Sequence, residues 1–83
     1  MIKTDRGNPA MAHVLIVEAN SERAALYEDN VRHRDSQATV YKVPDLTEAK
    51  LLLGNNKDIT RVCLQGAMVD RDTALFVMRN PPQ

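Results

Sequence analysis

The chain has 83 residues, of which 11 are basic and 11 are acidic, so its formal net charge is zero. Because its Lys and Arg residues form no basic stripe and aromatic residues make up only 4% of the chain, the composition disfavours nucleic-acid binding by this segment. The sequence has no signal-peptide pattern and no apolar run of about 18 residues, which predicts a cytoplasmic protein that does not bind a membrane.

The first residues are predicted to form a leader rather than a packed element. Residues 1–12 mix charged residues with glycine and proline and show no periodicity, which is typical of a flexible segment. This leader is either an extension or a stretch that precedes a natural translation start at Met11. The ordered domain is expected at residues 13–80, followed by a short tail at residues 81–83.

The first strand is predicted where four aliphatic residues, Val14–Val17, end abruptly at Glu18. Such a run is typical of a buried parallel strand whose carboxyl end reaches a functional crevice. Ser21 is the expected N-cap of a helix that follows directly and continues to about Arg32.

The apolar residues of this first helix recur at three- and four-residue steps, as expected for a helix that buries one face. The buried stripe is predicted to contain Ala24, Tyr27 and Val31. Ala25 and Leu26 are expected to broaden it.

A second strand and a second helix are predicted next. Ala38–Val43 is rich in β-branched and aromatic residues, and Pro44 ends that strand. Asp45 stands in the N-cap position of the helix, with Glu48 three residues later in the capping-box position. The helix is expected to end at residues 54–56. Its predicted apolar face comprises Leu46, Ala49, Leu52 and Leu53.

A third strand and a third helix complete the predicted order. Ile59–Leu64 predicts the strand, and Cys63 within it is expected to pack as a small apolar residue without an intrachain disulfide. Thr73–Met78 predicts the helix, with Asp70 or Asp72 near its start.

The alternation β-α-β-α-β-α indicates an α/β domain with a three-layer architecture and a parallel sheet joined by right-handed crossovers. The connections are short, and the strands are apolar enough to be buried on both faces. Three strands amount to half of a usual doubly wound domain.

In this order the chain resembles the receiver domain of bacterial response regulators, the regulated component of two-component systems. The resemblance is carried by His-Val-Leu-Ile-Val-Glu-Ala-Asn-Ser-Glu-Arg at residues 13–23, by Thr-Val-Tyr-Lys-Val-Pro-Asp-Leu-Thr-Glu-Ala-Lys at residues 39–50, and by Val-Cys-Leu-Gln at residues 62–65. It covers residues 13–79 and implies a flavodoxin-like sheet with strand order 2-1-3, truncated after the third helix.

Receivers carry a phosphoaccepting aspartate after the third strand and an acidic pair after the first strand that holds magnesium. The resemblance places Gln65 at the phosphoacceptor position and Glu18, followed by Ala19, at the acidic pair. A carboxamide is too weak a nucleophile to accept a phosphoryl group, and one vestigial carboxylate is a poor site for magnesium. We therefore expect no catalytic residue, no metal and no cofactor, and we predict that the chain is not an enzyme.

These departures predict a phosphorylation-independent receiver-like regulatory module in bacterial signal transduction, acting by dimerisation or partner docking. One alternative is a phosphotransfer-competent receiver that uses Asp70 or Asp72. Acids at these positions are more simply the cap and first turn of the last helix. Another alternative is a small α/β adaptor unrelated to receivers.

The chain is predicted to form a homodimer or to bind a signalling protein partner, and self-association is predicted through one of two surfaces. Without a fourth strand, the third strand would leave an open edge at Val62, Cys63 and Leu64, and open apolar edges recruit other strands. The second surface is the last helix. Its predicted interface residues are Ala74, Leu75, Val77 and Met78.

Overall fold

The computed structural model describes residues 12–79, which form a four-stranded sheet with three helices. The predicted leader before residue 12, the last residue of the predicted domain and the tail lie outside the described residues. The strands are β1 (His13–Val17), β2 (Thr39–Val43), β3 (Ile59–Leu64) and β4 (Ala67–Asp70), and the helices are α1 (Ser21–Arg34), α2 (Leu46–Asn55) and α3 (Arg71–Arg79).

The sheet has the order β2-β1-β3-β4 and is mostly parallel. β1 is central and runs parallel to both β2 and β3, whereas β4 is antiparallel to β3. The predicted α/β class is therefore confirmed, but the prediction of a wholly parallel sheet is wrong because of β4. The element order differs from the prediction, because a second consecutive strand precedes the last helix.

Helices lie on both faces of the sheet, with separate apolar clusters beneath them. Ala24 and Val31 of α1 pack with Val14, Ile16 and Cys63 on one face. The opposite face is covered by α2 and α3. Its cluster consists of Leu15, Val17, Ala49, Leu53, Ile59, Val62, Ala74 and Met78. The neighbouring positions of β1 alternate between the two clusters, as the side chains of a strand must.

The strand β4 was not predicted from the sequence, and its presence means that β3 is not an edge strand. A two-residue loop, Gln65 and Gly66, joins β3 to β4, and both residues have positive φ, 51° and 84° respectively. Two successive positive φ values define a type I′ turn, whose twist matches that of the flanking strands. The prediction of an open edge on β3 is wrong, because the backbone of Val62, Cys63 and Leu64 is paired with β4.

The helices α1 and α2 both begin at a side-chain N-cap, and one of the two capping residues differs from the prediction. Asn20, not Ser21, is the N-cap of α1, because its side chain accepts a hydrogen bond from the backbone N–H of Arg23 at 3.0 Å. The predicted cap at Asp45 is confirmed, since its Oδ1 accepts from the N–H of Glu48 at 2.9 Å. The helix α1 also continues past the predicted end, to Arg34.

The buried stripe of α1 is narrower than predicted from the sequence, whereas that of α2 is as predicted. Ala24 and Val31 are buried and Tyr27 is half-buried, but Ala25 and Leu26 are exposed, so the predicted broadening of the stripe is wrong. The apolar face of α2 is confirmed: Ala49 and Leu53 are buried, and Leu46 and Leu52 pack against the same cluster.

Candidate functional site

The carboxyl ends of β1, β2 and β3 meet at one edge of the sheet, where doubly wound folds place ligands. A cavity of about 590 Å³ lies at this edge, and we call it the rim groove. It is lined by Val17, Glu18, Ala19, Pro44, Asp45, Leu46, Leu64, Gln65 and Val77. The structure therefore brings the predicted residues Glu18 and Gln65 together with two predicted interface residues, Leu64 and Val77.

Glu18 directly follows β1, and two hydrogen bonds hold it in place. Its backbone N–H donates to the Val43 carbonyl at 3.0 Å, which extends the β1–β2 pairing by one residue. Its Oε2 accepts from the backbone N–H of Asn20 at 3.0 Å. One carboxylate oxygen thus closes a local turn, and the other can still accept a hydrogen bond or face a cation.

Gln65 is the first residue of the hairpin turn and is exposed. Its φ of 51° is in the left-handed region, which glycine, asparagine and aspartate adopt more readily than glutamine. The side-chain amide can donate and accept hydrogen bonds, but it carries no charge at any ordinary pH. Gln65 therefore places a polar side chain in the turn at which β3 ends.

The two alternative phosphoacceptors lie away from the rim groove. Asp70 is paired with Arg61, and Arg61 is paired with Val14 at the start of β1, so the antiparallel course of β4 places Asp70 at the amino end of the parallel strands. Its Oδ1 accepts from the N–H of Thr73 at 2.7 Å, and this backbone hydrogen bond lowers the pKa of the carboxyl group. Asp72 is exposed in the first turn of α3. The structure does not bring either acid to Glu18.

The electrostatic character of the rim groove is set by two carboxylates. Glu18 and Asp45 each use one oxygen to accept from the backbone, and none of the described residues that line the groove is Lys, Arg or His. The rest of the lining is largely aliphatic. Such a surface can accept an apolar side chain next to a cation, and it opposes the approach of an anion.

A second cavity, of about 530 Å³, lies beside α1 over β3 and β4, and it was not predicted from the sequence. We call it the helix-side groove. It is lined by Tyr27, Asn30, Val31, His33, Arg34, Cys63, Gly66 and Met68. Cys63 is 3% exposed, which confirms that it packs as an apolar residue, and burial raises the pKa of its thiol.

The predicted interface residues of α3 fall into two groups. Ala74 and Met78 lie in the core, with exposures of 0% and 4%, so in this chain they offer almost no surface to a partner. Leu75 and Val77 are half-buried. On β3, Val62 and Cys63 are buried and Leu64 is half-buried.

Arg71 is a residue that sequence reasoning missed altogether. Its guanidinium donates to the backbone carbonyls of Asn56 at 3.0 Å, Ile59 at 2.9 Å, and Leu53. These bonds connect the start of α3 with the end of α2 and the start of β3. No motif identifies such an arginine in a sequence, because its partners are backbone atoms distant along the chain.

Within residues 12–79, no group of three or more His, Cys, Asp and Glu side chains is arranged to hold a metal ion. No helix in the same range is long and apolar enough to cross a bilayer.

No family model matches this chain, and comparisons with curated proteins and with solved structures found no match either.

Proposed function

We propose that this chain is a receiver-like regulatory module of bacterial signal transduction that works without phosphorylation and binds a protein partner in the rim groove. The observation that carries the proposal is the combination, in one groove, of an apolar lining with the carboxylates of Glu18 and Asp45. The order β2-β1-β3, with α1 on one face and α2 on the other, supports a flavodoxin-like relationship, although the hairpin after β3 departs from the receiver pattern.

The chemistry at the carboxyl ends of the strands favours binding over phosphotransfer. Gln65 offers an amide in the place of a phosphoaccepting carboxylate, and Glu18 is committed in part to its own turn. Asp70 is at the other end of the sheet, where its side chain caps α3.

The partner is a protein segment that presents an apolar side chain flanked by Lys or Arg. An apolar residue of this segment fills the space between Leu46, Leu64 and Val77, and its basic neighbours face Glu18 and Asp45. Aliphatic burial supplies most of the affinity, and the charges supply orientation and selectivity.

The experiment is selection of a displayed random peptide library on the immobilised chain, followed by NMR titration of an enriched peptide. We expect enriched peptides with Leu or Ile between basic residues, and amide shifts concentrated at the rim groove. The double variant Glu18→Gln and Asp45→Asn keeps both backbone hydrogen-bond acceptors but removes both charges. It should weaken binding about tenfold, since two solvent-exposed ion pairs contribute up to about 1 kcal/mol each.

The matched control is the double variant Asp29→Asn and Asp58→Asn, which removes the same charge from exposed positions outside the rim groove. Equal weakening by both double variants, acidic enriched peptides, or shifts at another surface would contradict the proposal.

A separate test addresses phosphotransfer. After incubation with acetyl phosphate and magnesium, the intact mass should be unchanged. An added phosphoryl group would overturn the phosphorylation-independent function and would favour the alternative that uses Asp70 or Asp72.

A further inference from the structure

The chain contains a segment whose sequence matches the ligand chemistry of the rim groove. In the predicted leader, Ile2 is followed directly by Lys3. An aliphatic side chain beside a basic one is the combination that the rim groove accepts, because its lining is largely aliphatic and includes the carboxylates of Glu18 and Asp45.

The described start of the chain lies beside the strand that ends at the rim groove. The backbone carbonyl of Ala12 accepts a hydrogen bond from the N–H of Thr39, the first residue of β2, at 2.9 Å. Pro44 and Asp45, which directly follow β2, line the rim groove. From Ala12, the rim groove is therefore reached along β2, whose outer edge pairs with no other strand of residues 12–79.

The leader is long enough to cover this distance. Thr39 and Pro44 are five residues apart, which corresponds to about 17 Å of strand. Ile2 precedes Ala12 by ten residues, and ten extended residues span about 33 Å. The excess length, about 16 Å, leaves room for the reversal of direction that the chain needs before β1.

Charge favours the rim groove over the helix-side groove as the site for the leader. The side chains of residues 1–11 carry two positive charges and one negative charge, and one of the positive charges is next to Ile2. The rim groove has two carboxylates in its lining and no described basic residue. The lining of the helix-side groove contains Arg34 and no acidic residue. The rim groove therefore attracts the leader, and the helix-side groove repels it.

We propose that the leader of this chain docks in the rim groove of the same chain and competes with the external partner. Ile2 fills the aliphatic part of the groove, and Lys3 faces its two carboxylates. We call this arrangement the closed form, and it is autoinhibited. The inference rests on the proposed function, because it requires that the rim groove bind a peptide segment of this chemistry.

Attachment to the same chain favours the leader over a free competitor. A segment joined by a short linker has an effective concentration in the millimolar range. Ordering the leader costs conformational entropy, so an open form persists beside the closed form. A partner binds only the open form, and its apparent affinity falls in proportion to the open fraction. A closed fraction of about 50–80% weakens partner binding about two- to fivefold.

The first experiment detects the docked leader by NMR of the full chain. The chain has three isoleucines, and because Ile16 and Ile59 are buried in the core, their δ1 methyl signals are distinguishable from that of Ile2. We expect nuclear Overhauser contacts from the Ile2 δ1 methyl group to the methyl groups of Leu64 and Val77. These contacts should persist on dilution from about 500 µM to about 20 µM, since docking within one chain does not depend on concentration. Contacts at another surface, or their loss on dilution, would overturn the proposal.

The second experiment compares two double variants of the leader. Ile2→Ser with Lys3→Ser removes the aliphatic and the basic side chain and should abolish the closed form. Ile2→Leu with Lys3→Arg is the matched control, because it keeps both properties, and it should behave as the parent chain. A peptide enriched on the immobilised chain should bind the serine variant about two- to fivefold more tightly than it binds the parent or the control. Equal affinities for all three chains would contradict autoinhibition by the leader.

The two experiments separate this inference from the proposed function. Peptide binding in the rim groove, with no contact from Ile2 and no effect of the serine variant, would overturn docking of the leader and leave the proposed function standing. Contacts from Ile2 in the rim groove, with no enriched peptide that binds there, would support docking of the leader and contradict the external partner.

Discussion

The Arg71 guanidinium, at the start of α3, donates to the Leu53 carbonyl near the end of α2. The same group also reaches the carbonyls of Asn56 and Ile59, so one side chain connects a helix end, a loop and a strand start. A cation at the carboxyl end of a helix interacts favourably with its dipole, and hydrogen bonds to a charged donor are stronger than neutral ones.

Replacing Arg71 by Met should lower the free energy of unfolding by about 1.5–3 kcal/mol, because the charged hydrogen bonds are lost while the aliphatic stem is kept. Arg71→Lys should recover part of this loss. Urea denaturation followed by circular dichroism measures both. The control is Arg23→Met at an exposed position of α1; a loss of the same size there would contradict a special role for Arg71.

The β3–β4 turn should be improvable at Gln65 and intolerant of change at Gly66. Gln65→Asn introduces a residue that adopts positive φ more readily and should raise the free energy of unfolding by about 0.5–1 kcal/mol. Gly66→Ala should lower it by about 1–2 kcal/mol, because φ is 84° and the new Cβ would lie 3.1 Å from Tyr27 Oη. Thermal melting of both variants measures these shifts. Stabilisation by Gly66→Ala would contradict the turn geometry.

Asp70 should make stability dependent on pH in the acidic range. The N–H of Thr73 lowers the pKa of the folded carboxyl group below its ordinary value near 3.8, so the stabilisation is fully present above that value. It is lost as the pH falls through the folded pKa. The Asp70→Asn variant should show a flatter stability curve below pH 4 than the parent chain, while Asp58→Asn should not reproduce that flattening. Parallel curves for the parent and Asp70→Asn would contradict the cap.

The Cys63 thiol should report opening of the helix-side groove. Burial raises its pKa above the ordinary value of 9.0, so both access and thiolate content are low in the folded chain. Alkylation by iodoacetamide at pH 8 should be slow under native conditions and fast in denaturing urea. Equal rates, followed by intact mass, would show that the thiol is accessible in the folded chain.

The pattern of apolar residues was enough to predict those elements whose burial follows from the local sequence. The aliphatic run Val14–Val17 identified the central strand, and the spacing of Ala49 and Leu53 identified the buried face of α2. The predicted N-cap of α1 was wrong by one residue. Asn20 and Ser21 are both good caps, and only the backbone conformation after Glu18 selects between them.

The strand β4 could not be identified by the same means. It has four residues, one of which caps a helix, and its pairing partner determines its conformation more than its own composition does. The hairpin signal at Gln65-Gly66 is weak because glutamine is uncommon in a type I′ turn. The helix-side groove depends on the position of β4, so it could not be predicted either, whereas the rim groove follows from where parallel strands end.

The reversal of the chain at Gln65 has an electrostatic consequence for the rim groove. The helices α1 and α2 begin at this edge of the sheet, but α3 begins at the opposite edge and brings its last turn, with Val77, toward the groove. A helix that ends there presents carbonyl oxygens, so its dipole opposes those of α1 and α2. A fold in which every helix starts at this edge would attract phosphate more strongly. The inverted third helix instead makes the local electrostatic potential more negative, which favours positively charged ligands.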